Sequence, residues 1–434
     1  MYIHVVVHHF PPRYTAGAEW QAFRTAQGLI ERGHQVRVVA VEHVDQGPID
    51  GVTWTDDEFQ GVSVRRLSFN RAHVKDLRLF EYRNPWIGAH LRELWAVERP
   101  DLVHVVSGYL ISGTAFEAAE ALGLPTVLTL TDFWWLCPRV TLRRSDGTIS
   151  TLPLEPWRCV QCLAEEQSVA RNLGRWLPGP MRRFWRGQST APIEARQAYL
   201  RERFERVARV ISPSRFLRDL HVQAGIREDQ IIVSRQGIEL IDRGLHLQAT
   251  KTTSDKLRVA YLGQIAHLKG IHVLVEAARQ IDDPRLEVRI YGDLSRFPRY
   301  VDELQAAIGD DRRIMLAGAY SDAQGLARIL SDTDVIVVPS LWYENSPNVL
   351  LEAFAFRTPA IASDFGGMAE LVAHGVNGLR FELGNAIDLG RQLRRLLDDP
   401  QLLRVLGAGV PAVRSVAEEM DELVRMYADV LHSA

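Results

Sequence analysis

Residues 335–362 read VIVVPSLWYENSPNVLLEAFAFRTPAIA. The β-branched run Val335 to Val338 predicts a strand, Asn348 to Phe356 a helix, and Ala360 to Ala362 the next strand. Strand, loop, helix, strand is the repeating unit of a parallel sheet covered by helices. Ser346 suits a helix N-cap and Pro347 the first helical position, so the amides of Asn348, Val349 and Leu350 are expected to face the loop. Such a helix start is an anion site suited to a diphosphate. Glu352 follows inside an otherwise apolar segment, where an unpaired carboxylate is costly. A ribose diol would satisfy it, and so would an ordinary salt bridge to Arg357.

The same rhythm extends in both directions. Upstream in the second half, strands are expected at Arg258 to Leu262, Leu286 to Tyr291 and Arg313 to Ala317, with a helix over Ile271 to Arg279. In the first half, Ile3 to His9, Gln35 to Val41, Leu102 to Val106, Thr126 to Leu130 and Arg209 to Ser212 read as strands, with a helix from Ala18 to Arg32. The chain is therefore read as α/β, with two doubly wound parallel-sheet domains in tandem and a cleft at the carboxyl ends of both sheets. The expected boundaries are 1–240, carrying an insertion at about 132–193, then 241–415, then a helix over 416–434 that packs back on the first domain. The polar stretch Ile241 to Asp255 is read as the linker.

Composition narrows the class. The 434 residues carry 46% hydrophobic and 24% charged side chains and a formal charge of −3, so an electrostatic nucleic-acid partner is not expected. No apolar run approaches the roughly 20 residues needed to cross a bilayer. The N-terminus lacks the pattern of a secretory signal. Three cysteines give no extracellular disulfide framework, and a cytoplasmic location is expected.

The glutamates Glu344 and Glu352, set after a Pro-Ser strand end and leading into a helix, resemble the paired-glutamate motif of glycosyltransferase family four and its GT-B relatives. Gly263-Gln264-Ile265-Ala266-His267-Leu268-Lys269-Gly270 is similar to that family's Gly-Arg-x-x-x-x-Lys-Gly loop. Tyr291-Gly292-Asp293, Asp364 to Glu370 and Asn377-Gly378 resemble its later turns, and Thr15-Ala16-Gly17-Ala18-Glu19 with Arg32 to Val36 its opening. The resemblance implies a GT-B fold and retaining, metal-independent transfer of a hexosyl group from a nucleoside-diphosphate sugar. A glycan or lipid-linked acceptor, as in polysaccharide biosynthesis, would lie on the first domain, and no cofactor is required. It further implies Glu352 on the ribose, Glu344 beside the transferred sugar, and Lys269 on the diphosphate. Gly17, Gly263, Gln264, Asn345, Ser346, Asn348 and Val349 would line the donor, and Asp132 would lie near the reacting sugar.

Two positions depart from the pattern: Gln264 stands where relatives carry Arg, and Thr131 where they carry His before Asp132. Diphosphate binding is then expected to lean on Lys269 and on a further cation such as Arg235 or His267. A nucleotide-sugar epimerase or hydrolase, or a catalytically weakened sugar-binding subunit, remain as alternatives. Asp332-Thr333-Asp334 precedes its strand and is read as a turn and cap, not as a metal-binding Asp-x-Asp. Cys137, Cys159 and Cys162 are read either as three packed thiols or as ligands of a structural zinc. Arg171, Arg175, Arg182, Arg183 and Arg186, interleaved with Trp176, Phe184 and Trp185, suit either an anionic membrane surface that holds the enzyme peripherally or a cover packed on the first domain.

Overall fold

The computed structural model describes residues 1–166, 189–248, 251–320 and 322–433. The arginine and tryptophan segment at 171–186 lies outside the described residues. The chain divides into two compact units, Met1–Ser234 with Met420–Ala434, and Arg235–Glu419.

The first unit holds an eight-stranded sheet: β1 (Tyr2–Val7), β2 (Gln35–His43), β3 (Thr53–Phe59), β4 (Val62–Ser68), β5 (Leu102–Val106), β6 (Thr126–Thr129), β7 (Arg209–Ser212) and β8 (Ile231–Val233). Their order is β3-β4-β2-β1-β5-β6-β7-β8. All neighbours run parallel except β3 against β4. That hairpin is an addition to the sequence reading, and its signal was present. Gln60 and Gly61 both take positive φ, 48° and 81°, which is the backbone a tight hairpin turn of matching twist requires.

The second unit holds a six-stranded sheet: β9 (Leu257–Leu262), β10 (Leu286–Tyr291), β11 (Ile314–Gly318), β12 (Val335–Val338), β13 (Ala360–Ser363) and β14 (Gly378–Phe381), in the order β11-β10-β9-β12-β13-β14. Alternation along its strands feeds a core on each face. Val259, Tyr261, Val335 and Val337 pack into one buried cluster, and Ala260, Leu262, Ile336 and Val338 into the other. That burial on both sides is why these strands read as unbroken apolar runs. The order reverses between β9 and β12, as it does between β1 and β5, and in open α/β sheets ligands bind at the carboxyl ends of such a reversal.

The stretch read as a linker is more ordered than its polarity suggests. Short helices occupy Glu239–Asp242 and Leu245–Gln248, Leu240 is buried, and the Asp242 carboxylate caps the amides of Val416 and Ala417 at 2.8 and 3.0 Å. Asp334 is bound to Arg258 through both carboxylate oxygens, and Thr252 donates to Asp332 at 2.7 Å, so both acids serve the amino end of the second sheet.

Four buried histidines lie in the first unit. Burial lowers His4 and His104 to about 3, and His90 and His221 to about 4. The unfolded chain takes up these protons near pH 6.5 whereas the folded unit does not. Their contribution is therefore intact above pH 6.5 and is lost as pH falls towards 3–4, at up to about 1.4 kcal/mol per pH unit for each histidine. Calorimetry at pH 7 and pH 5 is expected to show the first unit melting earlier at the lower pH. A first-unit transition that does not move between them would refute this.

Candidate functional site

The loops that leave β9 and β12 flank the reversal point of the second sheet, and each supplies one charged side chain. Lys269 ends a 3₁₀ turn over His267–Lys269, and its ammonium donates to Glu344 Oε1 at 2.6 Å. Ser340 Oγ and Trp342 Nε1 donate to the same oxygen, each at 2.8 Å. The Lys269 ammonium also lies 5.2 Å from the centre of the Trp342 ring, a cation–π distance. Burial alone would push the Glu344 carboxyl up; the charge of Lys269 and the three hydrogen bonds more than offset it, and the group sits below the ordinary carboxylate value. All three donors converge on Oε1. Oε2 takes no hydrogen bond among the described residues and is open to a ligand.

Backbone contacts hold the pair in register. Gly270 has φ +70°, and a Cβ there would lie 2.0 Å from the Pro339 carbonyl oxygen. Leu341 N–H donates to Leu268 O at 2.8 Å, which ties the two loops directly. On the far side, Gly367 N–H donates to Glu344 O at 2.7 Å, and the rings of Tyr343 and Phe365 stack 4.2 Å apart.

The helix after Glu344 starts at Asn348 as the strand–loop–helix pattern predicts, but its cap differs from the Ser346–Pro347 reading. It spans Asn348–Ala355, with Pro347 at the N-cap, held extended at ψ 112° and giving no side-chain cap. Proline favours extended backbone before it as well, so Ser346 lies outside the helix and does not cap it. Leu350 N–H turns back to Pro347 O at 3.0 Å, so it is not among the amides open to a ligand. Ser346 Oγ and Asn348 Oδ1 are buried with no hydrogen-bond partner among the described residues. A helix start without a side-chain cap, beside the Ser346 hydroxyl that can donate, suits an anionic ligand, and the Asn348 oxygen can accept from a ligand hydroxyl. Glu352 lies half-buried in the same helix, and its charge contributes to raising the Tyr320 hydroxyl, after burial itself.

Other residues singled out by sequence are placed as follows. Gly263 has φ +143° in the loop after β9, and Gln264 follows it. Arg235 is paired with the Glu370 carboxylate, and His267 stacks on His272 at 4.5 Å. Val349 and Asn345 lie in and before the helix start. Asp132 and Gly17 belong to the first unit. Asp132 accepts from Ser107 Oγ at 2.6 Å, Thr131 Oγ1 at 3.3 Å and Trp134 N–H at 2.8 Å, after β6. Gly17 opens the helix Gly17–Glu31, and no atom lies within 4 Å of where its Cβ would be, so nothing in the chain itself demands glycine. Sequence reasoning passed over Ser340 and Trp342 as donors to Glu344, although both stand within four positions of it. It also passed over His8 and Glu19, paired at 3.4 Å at the end of β1.

No group of three or more His, Cys, Asp or Glu among the described residues is placed to hold a metal ion. The three cysteines are free thiols lining one small cavity. Burial, with the neighbouring thiols, pushes Cys159 up to about 12, and burial raises Cys137 as well.

With that geometry in hand, comparison with known proteins is informative. The family model described as Glycosyltransferase Family 4 matches residues 15–241, and the one described as Glycosyl transferases group 1 matches residues 242–411. The chain is similar to the alpha-D-kanosaminyltransferase of Streptomyces kanamyceticus, 29% identical over 182 residues that make up 41% of this chain and 46% of that protein. It is also similar to a D-inositol 3-phosphate glycosyltransferase of Streptomyces bingchenggensis, 32% identical over 36% of each chain. The chain thus spans less than half the length of these curated relatives. Among solved structures, HepE of Anabaena in complex with UDP superposes with a TM-score of 0.68 at 17% identity, covering 99% of this chain and 100% of that one, a likeness of fold. The sucrose-phosphate synthase of Thermosynechococcus elongatus gives 0.67 at 18% identity, covering both chains in full.

Proposed function

The chain belongs to glycosyltransferase family 4, and from that premise we propose that it moves a hexosyl group from a nucleoside-diphosphate sugar to a hydroxyl of a glycan or lipid-linked acceptor, with retention of anomeric configuration. The observation that carries this reading is the Lys269–Glu344 pair at the reversal point of the second sheet, with Glu344 Oε2 open and the uncapped helix start of Asn348 beside it. In the reaction the bond between the anomeric carbon and the diphosphate oxygen breaks, and its electron pair stays on that oxygen. Lys269 and the first amides of the helix take up the developing charge, so the chain's own cation and dipoles stabilise the leaving group. The acceptor oxygen forms the new bond to the anomeric carbon and passes its proton to the departing diphosphate oxygen, which holds the electron pair of the broken bond. Glu344, with Oε2 free, is assigned to the hydroxyls of the transferred sugar.

Glu352 is assigned to the ribose hydroxyls, because it stands one turn into the helix whose start receives the diphosphate. Glu352→Gln is expected to weaken nucleotide-sugar binding by about ten- to a hundredfold, the range of charge-assisted hydrogen bonds of about 1.5–3 kcal/mol. The test is a thermal-shift screen of UDP, GDP, ADP, TDP and their sugars, followed by titration of the one that stabilises. If no nucleotide raises the melting temperature of the wild-type protein, the reading fails. If the variant binds as tightly as wild type, only the assignment of Glu352 does.

A further inference from the structure

We infer that Arg296 is a second cation for the donor's diphosphate, delivered by the loop after β10 and held in place by Gln264. The inference rests on the nucleotide-sugar reading above and extends it to a residue in a different loop. In the second sheet β9 lies between β10 and β12. The loop carrying Gln264 and Lys269 is therefore flanked on one side by the loop of Glu344 and on the other by that of Arg296. With the Gln264 amide turned so that its oxygen, not its NH2, faces Arg296, the orientation the surrounding donors require, that oxygen accepts from Arg296 Nη1 at 2.8 Å and from Nε at 3.2 Å. The two loops also meet backbone to backbone: a Cβ at Gly292 would lie 2.1 Å from the Gly263 carbonyl oxygen. Asp293 Oδ1 accepts from Ser295 N–H at 2.8 Å and Ser295 Oγ at 2.7 Å, which sets the turn just before Arg296.

The chemistry of the tether decides its meaning. Lys269 is neutralised by a carboxylate, Glu344, and Arg235 by another, Glu370. Arg296 makes no ion pair within 4.0 Å among the described residues, and what holds it is a neutral amide. An amide fixes the guanidinium without consuming its charge, and it occupies Nε and Nη1 while leaving Nη2 to donate to an anion. A carboxylate in place of Gln264 would neutralise the cation, and a second guanidinium there would repel it. The Gln264–Arg296 pair thus presents one whole positive charge at the carboxyl edge of the sheet, next to the lysine whose charge is already engaged.

The test measures binding of UDP, GDP, ADP and TDP by calorimetry to the wild-type protein and to Arg296→Ala, Arg296→Lys, Gln264→Glu and Arg299→Ala. For a nucleoside diphosphate that binds, Arg296→Ala is expected to weaken it about tenfold or more, the effect of one charge-assisted phosphate contact. Arg296→Lys should fall between the two, and Arg299→Ala, an exposed neighbour, should bind like wild type. Gln264→Glu should weaken binding although it strengthens the tether, an outcome that a purely structural role for the pair would not produce. The melting temperature without ligand should be the same for Arg296→Ala and wild type. Wild-type affinity in Arg296→Ala overturns the inference while leaving the nucleotide reading intact. Failure of the wild-type protein to bind any of the four removes both.

Discussion

Lys269→Ala is expected to lower sugar transfer by about a hundred- to a thousandfold, the usual effect of deleting a preorganised charge from the leaving-group side of a reaction. Two losses combine. The leaving diphosphate loses a cation, and Glu344, only 13% exposed, keeps the neutral donors Ser340 and Trp342 but loses the charge that holds its pKa down. Its carboxyl then titrates higher, so the variant's residual activity should rise with pH over a range where the wild type is flat. Lys269→Arg restores the charge in a different shape and should recover part of the rate. Steady-state kinetics with the donor found by the screen check this, and activity within about twofold of wild type would take Lys269 out of the site.

Gly270→Ala should be nearly as damaging while altering no functional side chain. The added Cβ would meet Pro339 O at 2.0 Å and Pro339 C at 2.9 Å, and both belong to the backbone that leads into Ser340. Relief requires the β9 and β12 loops to part, which pulls Lys269 away from Glu344. The positive φ adds strain of about 1 kcal/mol, and the clash raises the expected destabilisation to about 2–4 kcal/mol. Gly375→Ala is the control, because that glycine has φ +77° with open space around it and bears the conformational strain alone. Donor affinity and the melting of the second unit should fall far more in Gly270→Ala than in Gly375→Ala. Equal behaviour of the two would mean that the loops tolerate separation.

Much of this architecture was legible because it is local. Strands buried on both faces leave short runs with little polar interruption, and Leu102–Val106 and Val335–Val338 begin and end where those runs do, whereas Leu286–Tyr291 was legible from its alternation. Signals spread over short, polar segments were harder to read. The hairpin Thr53–Phe59 and Val62–Ser68 carries three acids on an exposed strand, and only its Gln60-Gly61 turn betrays it. In the site, Lys269 and Glu344 could be named because each stands in a recognisable loop. Arg296 could not, since its partner Gln264 lies on another strand's loop and the pairing follows only from strand order. The range of the helix from Asn348 was legible, but its cap was misplaced by one residue, because Ser-Pro suits either of two adjacent cap positions and tertiary packing chooses between them.

The division of the chain at two places bears on how the protein is made. The first unit contains Met1–Ser234 and also Met420–Ala434, so its own core is interrupted by the whole of the second. Met420 packs against Gly28, where a Cβ would come within 2.5 Å of its side chain, and the Tyr427 hydroxyl lies 2.6 Å from Nδ1 of the buried His104. His104 and Tyr427 emerge from the ribosome 323 residues apart, and Gly28 and Met420 further still, at roughly 5–20 residues per second. For some tens of seconds the nascent first unit holds His104 without that partner and an apolar groove without its helix. The second unit is continuous in sequence and ends where the returning segment begins, so the first unit cannot close its core until the whole of the second has been synthesised.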